Sequence, residues 1–212
     1  MKKFNYIVIF TLVLVNSVIV SKLQANINNN IIVKVGDSLV TSLDIKNEII
    51  TNLLINKKEI TQENINNYKN YAVKNLINKT IKKSEINKYQ IKNFNKKDLQ
   101  DYIDNIAKNL NTNPNGLRKL FKNNSIDYEI FVESFRIELL WNTLIFKIYK
   151  DQTNINIVEI DNEIEKIKEN KSEEELKEIK KKILDQKKQE KLSLFSRMHF
   201  SNLESSVGVN FQ

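Results

Sequence analysis

The residues able to carry out chemistry are few. His199 is the only histidine, set in Arg197-Met198-His199-Phe200, with no cysteine in the chain and no carboxylate pair beside it. A lone histidine of this kind fits a structural side chain better than a metal ligand or a catalyst. Gly36, Gly116 and Gly208 are scattered singly, so no glycine-rich loop exists to cradle a phosphate. The carboxylates from Glu159 to Glu178 are numerous, but they alternate with lysines along a helical pattern, where solvation accounts for them. Without cysteine there is no disulfide framework, thiolate metal site or sulfur nucleophile. No catalytic residue, metal ligand or cofactor is therefore expected.

The elements that frame these residues are mostly helical. Hydrophobic residues make up 41% of the chain, enough to build a core despite 28% charged residues, so general disorder is not expected. Three glycines and one proline are too few for the turns of a β-sandwich or a large α/β enzyme, which leaves helices. Asn, Ile and Lys are abundant throughout, a bias of overall composition that weakens inference from any single Asn or Lys.

A secretory leader is expected over residues 1–25. Met1-Lys2-Lys3 is a short positive start, Tyr6 to Val20 is a nearly unbroken apolar run, and Leu23-Gln24-Ala25 offers a cleavage point. Fifteen helical residues span roughly 22 Å, short of the ~30 Å hydrocarbon core, which favours cleavage over anchoring and limits membrane contact to export. The formal charge of the whole chain is +8; removing Lys2, Lys3 and Lys22 from 34 basic residues leaves 31 against 26 acids, or +5. Those cations are dispersed among acids, so nucleic acid is not an expected partner.

Along the mature chain, Ile31–Val35 and Ser38–Thr41 read as strands about Gly36-Asp37, and Ser42 or Asp44 as the cap of a helix bearing Ile45, Ile49 and Leu53. Thr61 caps a second helix reaching toward Ile81, and Asn95 a third that bears Leu99 to Leu110. Asn113 with Pro114 opens a fourth, and Asp127 a long apolar fifth ending near Lys150. Ile155 to Val158 reads as extended, followed by a helix capped by Asp161 and ended by Asn170-Lys171. Ser172 to Glu175 is a capping box for a last helix reaching about Leu203. Ser206 to Phe211 alternates like a strand, expected to pair with the first hairpin because an isolated hairpin is marginal.

The stretches Val33 to Asp44, Asn105 to Asn109 with Leu117-Arg118, Phe135 to Leu140 and, more weakly, Glu190 to Phe211 resemble the SurA-type periplasmic chaperones. The resemblance implies a mainly α, multi-helix chaperone core with a small antiparallel sheet formed by the N-terminal hairpin and the C-terminal strand. Residues 26–158 would be its N-terminal chaperone region, and 159–212 the helices and strand that complete the same core. Family members usually insert parvulin-type isomerase domains before the final helix; here only Asn170 to Ser172 stands at that point. The expected function is thus that of an ATP-independent periplasmic holdase for unfolded outer-membrane or secreted proteins, or other extended peptides, without isomerase activity. The alternative is an envelope scaffold with one fixed partner, retained by an uncleaved leader. The side chains expected to grip a client are Phe121, Tyr128, Phe131, Phe135, Trp141, Met198 and Phe200, since aromatics and methionine suit variable partners.

Overall fold

The computed structural model describes residues 29–169 and 171–212. The leader expected over residues 1–25, and Asn170 as a helix stop, lie outside them.

Strands β1 (Ile31–Val35) and β2 (Ser38–Thr41) form the expected hairpin. Gly36 turns it at φ +55°, a left-handed conformation that glycine adopts without a Cβ penalty. Alternation along the strands buries Val33, Val35 and Val40 on one face and leaves Lys34 and Leu39 on the other. Strand β3 (Val209–Phe211) pairs antiparallel with the free side of β1, giving the order β2-β1-β3. The two ends of the described chain therefore meet as expected. The closing strand is shorter than its alternation suggested, because Ser206 still belongs to the preceding helix and the chain turns at Val207-Gly208.

Among the described residues, seven α-helices separate β2 from β3: α1 (Ser42–Ile55), α2 (Gln62–Lys88), α3 (Lys96–Asn109), α4 (Pro114–Asn123), α5 (Tyr128–Tyr149), α6 (Ile157–Glu165) and α7 (Glu173–Ser206). The fold is mainly α with one small antiparallel sheet. Thr61, Asn95, Asn113, Asp127 and Ser172 each accept a hydrogen bond from a first-turn amide, the role their residue types favour. Two expected starts are corrected. Neither Ser42 nor Asp44 caps α1: Thr41, still extended from β2, is the cap, and Asp44 returns a bond to the Thr41 amide as the third residue of the box. Ile155 to Val158 is not an extended run. Asn156 accepts from the Val158 amide at 3.1 Å and starts α6, so Asp161 lies inside that helix and the residue 158/159 division falls within it. The Asn156 cap outweighed the three β-prone residues around it, Ile155, Ile157 and Val158, which have no strand beside them to pair with.

The shortage of glycine has a structural answer. Lys57, Gln90, Asn111 and Ser125 all take φ between 54° and 57°, immediately after α1, α2, α3 and α4. At each, the next amide reaches back over the helix end: Lys58 to Leu53, Ile91 to Ile86, Thr112 to Ala107 and Ile126 to Phe121, at 2.9–3.1 Å. These are Schellman closures made without glycine. Two of them also bring a buried apolar pair together, Ile86 with Ile91 and Phe121 with Ile126.

Helix α5 links the core. Its first half packs Phe131 and Val132 against Ile103, Ala107, Leu117 and Phe121 of α3 and α4. Its second half packs Trp141, Leu144 and Ile145 with Ile86 and Ile91, joined by Leu192, Phe200 and Leu203 of α7. Under the sheet, Val33, Val35 and Val40 meet Ile45, Ile49, Leu53, Ala72 and Ile81, and Leu203, Val207 and Val209 cover the same cluster. The C-terminal segment thus completes the core that the N-terminal segment begins.

Gln90 carries a side chain where glycine is free of strain. Gln90→Gly is expected to raise stability by about 1 kcal/mol and the melting temperature by about 2–4 °C, measured by calorimetry. No gain would show that the left-handed turn costs this chain nothing.

Candidate functional site

The seven residues expected to grip a client separate into two groups. Phe121, Tyr128, Phe131 and Trp141 are 7% exposed or less. The first three form one aromatic cluster, with Phe121 and Phe131 centroids 4.9 Å apart, and Trp141 donates its indole N–H to Ser196 Oγ at 2.8 Å. These four hold helices together, and Phe131 also borders the cleft to which Phe135 belongs. Tyr128, Phe131 and Trp141 are buried because α5 is covered by α2, α3, α4 and α7 on several sides, and Phe121 packs against it from α4. Phe200 is half-buried, edge-on to Trp141 at 6.2 Å, with Lys82 Nζ 5.8 Å from both rings. Met198 is exposed at 53% on α7.

Phe135 belongs to a cleft. Its ring stacks on Tyr102 at 3.6 Å and 7°, and the two form an aromatic wall with Tyr71, which is 55% exposed, and Ile55. The cleft lies where α1, α2, α3 and α5 converge and has a volume of about 310 Å³. Phe131 adds to the apolar lining, and hydrogen-bonding groups supply the rest: Glu48, Thr51 and Asn52 from α1, Asn75 and Lys79 from α2, and Ser134 and Glu138 from α5.

Glu48 anchors this polar side although it is 5% exposed. Its carboxylate accepts from Lys79 Nζ at 2.8 Å, from Asn52 Nδ2 at 3.0 Å and from Asn75 Nδ2. Lys79 also donates to Ser134 Oγ at 3.0 Å, tying α2 to α5. One helical turn away, Lys82 Nζ bonds both oxygens of Glu138. Burial, then the charge of Glu48 and the proximity of Tyr71, push the Tyr102 phenol above its usual range. Tyr102 consequently keeps its proton and remains a donor at neutral pH.

Sequence reasoning missed Glu48, Lys79 and Tyr102. A faint signal was present: Glu48, Thr51 and Asn52 recur at helical spacing directly beside the Ile45, Ile49, Leu53 stripe, at the margin of a buried face. The partners from α2, α3 and α5 are set by tertiary packing and leave no local mark.

On the far side of α5, His199 joins three helices. Tyr149 O–H lies 2.9 Å from Nδ1, and Nε2 lies 3.3 Å from Glu85 Oε1. With the ring proton on Nε2, the imidazole donates to Glu85 of α2 and accepts from Tyr149 of α5, so it fastens α7 to both. Among the described residues, no group of three or more His, Cys, Asp or Glu is arranged to hold a metal ion. No helix among them is long and apolar enough to cross a membrane. No model of a known protein family matches the chain, and no curated protein matches it either.

Lys79→Met leaves the Glu48 carboxylate buried without its cation, and is expected to cost about 3 kcal/mol in urea unfolding. Combining it with Glu48→Leu should restore most of that loss; equal stabilities of wild type and Lys79→Met would refute the account. A second expectation concerns alkaline pH. Tyr102, Tyr128 and Tyr149 all have their pKa raised, chiefly by burial, so the folded chain holds these protons more tightly than the unfolded one. Stability should therefore be full below about pH 10 and fall as pH rises beyond it. Tyr102→Phe should flatten that decline, as read by unfolding at stepped pH.

Proposed function

We propose that the protein is an exported, ATP-independent holdase of the SurA type, lacking the isomerase domains, that binds unfolded outer-membrane or secreted chains in the periplasm. The cleft between α1, α2, α3 and α5 carries the reading. An unfolded chain presents two things at once: apolar and aromatic side chains, and main-chain groups without partners. The cleft answers both, with Tyr71, Tyr102, Phe135 and Ile55 on one side and Thr51, Asn52 and Asn75 amide and hydroxyl groups on the other. Such a surface favours many sequences weakly over one sequence tightly.

Further support comes from the order of elements. The pairing of β3 with β1, and the return of α7 to the N-terminal core, agree with what the SurA-like stretches of the sequence imply. The short connection between α6 and α7 stands where the family carries its isomerase domains, and the chain's one histidine is engaged with Glu85 and Tyr149. The buried network at Glu48 keeps the polar groups in place before a client arrives, which lowers the ordering cost of binding. Release needs no energy source when affinity is low.

The mature chain should suppress aggregation of several unrelated urea-denatured barrel proteins diluted into buffer, followed by light scattering. Tyr71→Ala, at an exposed position, should weaken suppression about threefold or more without lowering the melting temperature. Proline isomerisation in a model peptide should proceed at its uncatalysed rate. Failure to suppress aggregation of any client, with binding confined to one folded protein, would replace the holdase with a scaffold.

A further inference from the structure

The outer edge of β3 is open. In its pairing with β1, Gly36 donates to Gly208 O and Gln212 donates to Ile32 O, both at 3.0 Å, with Lys34 opposite Asn210 between them. Residues 208, 210 and 212 therefore turn their peptide groups toward β1, and Val209 and Phe211 turn theirs away from the sheet. Among the described residues no strand lies on that side. The other edge of the sheet is partly engaged: there the Thr41 amide, which points outward from β2, is taken by Asp44 Oδ2 at 2.8 Å, and Leu39 is the residue of β2 that turns its peptide groups outward.

Soluble proteins usually guard a free edge with lysine, proline or a bulge. Val209-Asn210-Phe211 has none of these, and the only irregularity in the sheet falls between β1 and β2. Phe211 lies opposite Val33, on the face that buries the core, yet it is 68% exposed while Val33 is fully buried. An aromatic side chain on the apolar face of an unguarded edge leaves room for one more strand beside it.

We infer that this edge is a second contact for the clients of the proposed holdase, capturing an extended segment of unfolded chain by strand addition. The inference rests on the holdase reading and adds to it a site that recognises main chain. The N–H and C=O of Val209 and Phe211 supply up to four hydrogen bonds, and Phe211 covers an apolar side chain of the added strand. A three-residue edge buries on the order of a few hundred Å², far below the ~1,000 Å² expected of a stable interface. That area suits a client held briefly and poorly suits a second copy of this chain.

The test follows amide hydrogen exchange in the full chain with and without a urea-denatured eight-stranded outer-membrane barrel, alongside Phe211→Pro and Phe211→Ala. Client addition should slow exchange at Val209 and Phe211. Phe211→Pro removes an N–H that β1 does not use, so it should keep the melting temperature while weakening client binding by about threefold to tenfold, more than Phe211→Ala. If the barrel binds but both amides exchange as before and Phe211→Pro binds equally well, the edge site is wrong and the holdase reading survives. If the barrel does not bind at all, the holdase reading itself falls. Protection that grows with protein concentration in the absence of client, together with a sedimenting dimer, would assign the edge to a second copy instead.

Discussion

β1 needs hydrogen-bonding partners on both sides, and the chain supplies them from opposite ends. Its inner face is the driest part of the sheet, with Val33 and Val35 almost completely shielded, so a missing partner would leave peptide groups unpaired beside apolar packing. β2 satisfies one side locally. The other side waits for β3, which arrives only after all seven helices. Closing so long a loop costs only slightly more entropy than closing a shorter one, because that cost grows with the logarithm of length. What the closure demands is geometric: α7 must come back alongside α2 and α5, and Leu203, Val207 and Val209 must land on the sheet cluster. The layered core is the solution to that demand.

Within that frame, the cleft is held by an arrangement that simple packing would not choose. A buried carboxylate and a half-buried ammonium are costly to dehydrate, and apolar residues of similar volume are often at least as stable. Here the pair cross-links three helices: Glu48 comes from α1, Lys79 from α2, and Ser134 from α5 shares the same ammonium. The stacked rings of Tyr102 and Phe135 sit beside it, one from α3 and one from α5. The lining of the cleft is thus set by the same four helices whose packing the ion pair holds, so the shape of the cleft and the stability of the fold are coupled there.

How much of this could be read in advance depends on how local each determinant is. Thr61, Asn95, Asn113, Asp127 and Ser172 were legible because capping involves a residue and an amide two or three positions later. The hairpin and the closing strand were legible through alternation and the need for a third strand. Asn156 was misread because β-prone neighbours masked a cap of the same local kind. The surroundings of the residues expected to grip a client were the least legible: apolar periodicity marks Phe121, Tyr128, Phe131 and Trp141 as facing something, without saying whether that is another helix or solvent. Only the helices packed around α5 decide it. The cleft assembled from four separate helices was invisible for the same reason.

The last helix divides its contacts between α6 and the core. Thirty-four residues make α7 about 51 Å long, and its contacts with the central core are concentrated in its C-terminal half, from Leu192 onward. Its earlier turns lie against α6, where Lys180 pairs with Asp161 and Lys187 with Glu163. The first half of α7 therefore runs beside α6 and its second half beside the core. A change in the first half would reach the core only through α6 or along the helix itself, leaving Leu192, Phe200 and Leu203 to keep their places.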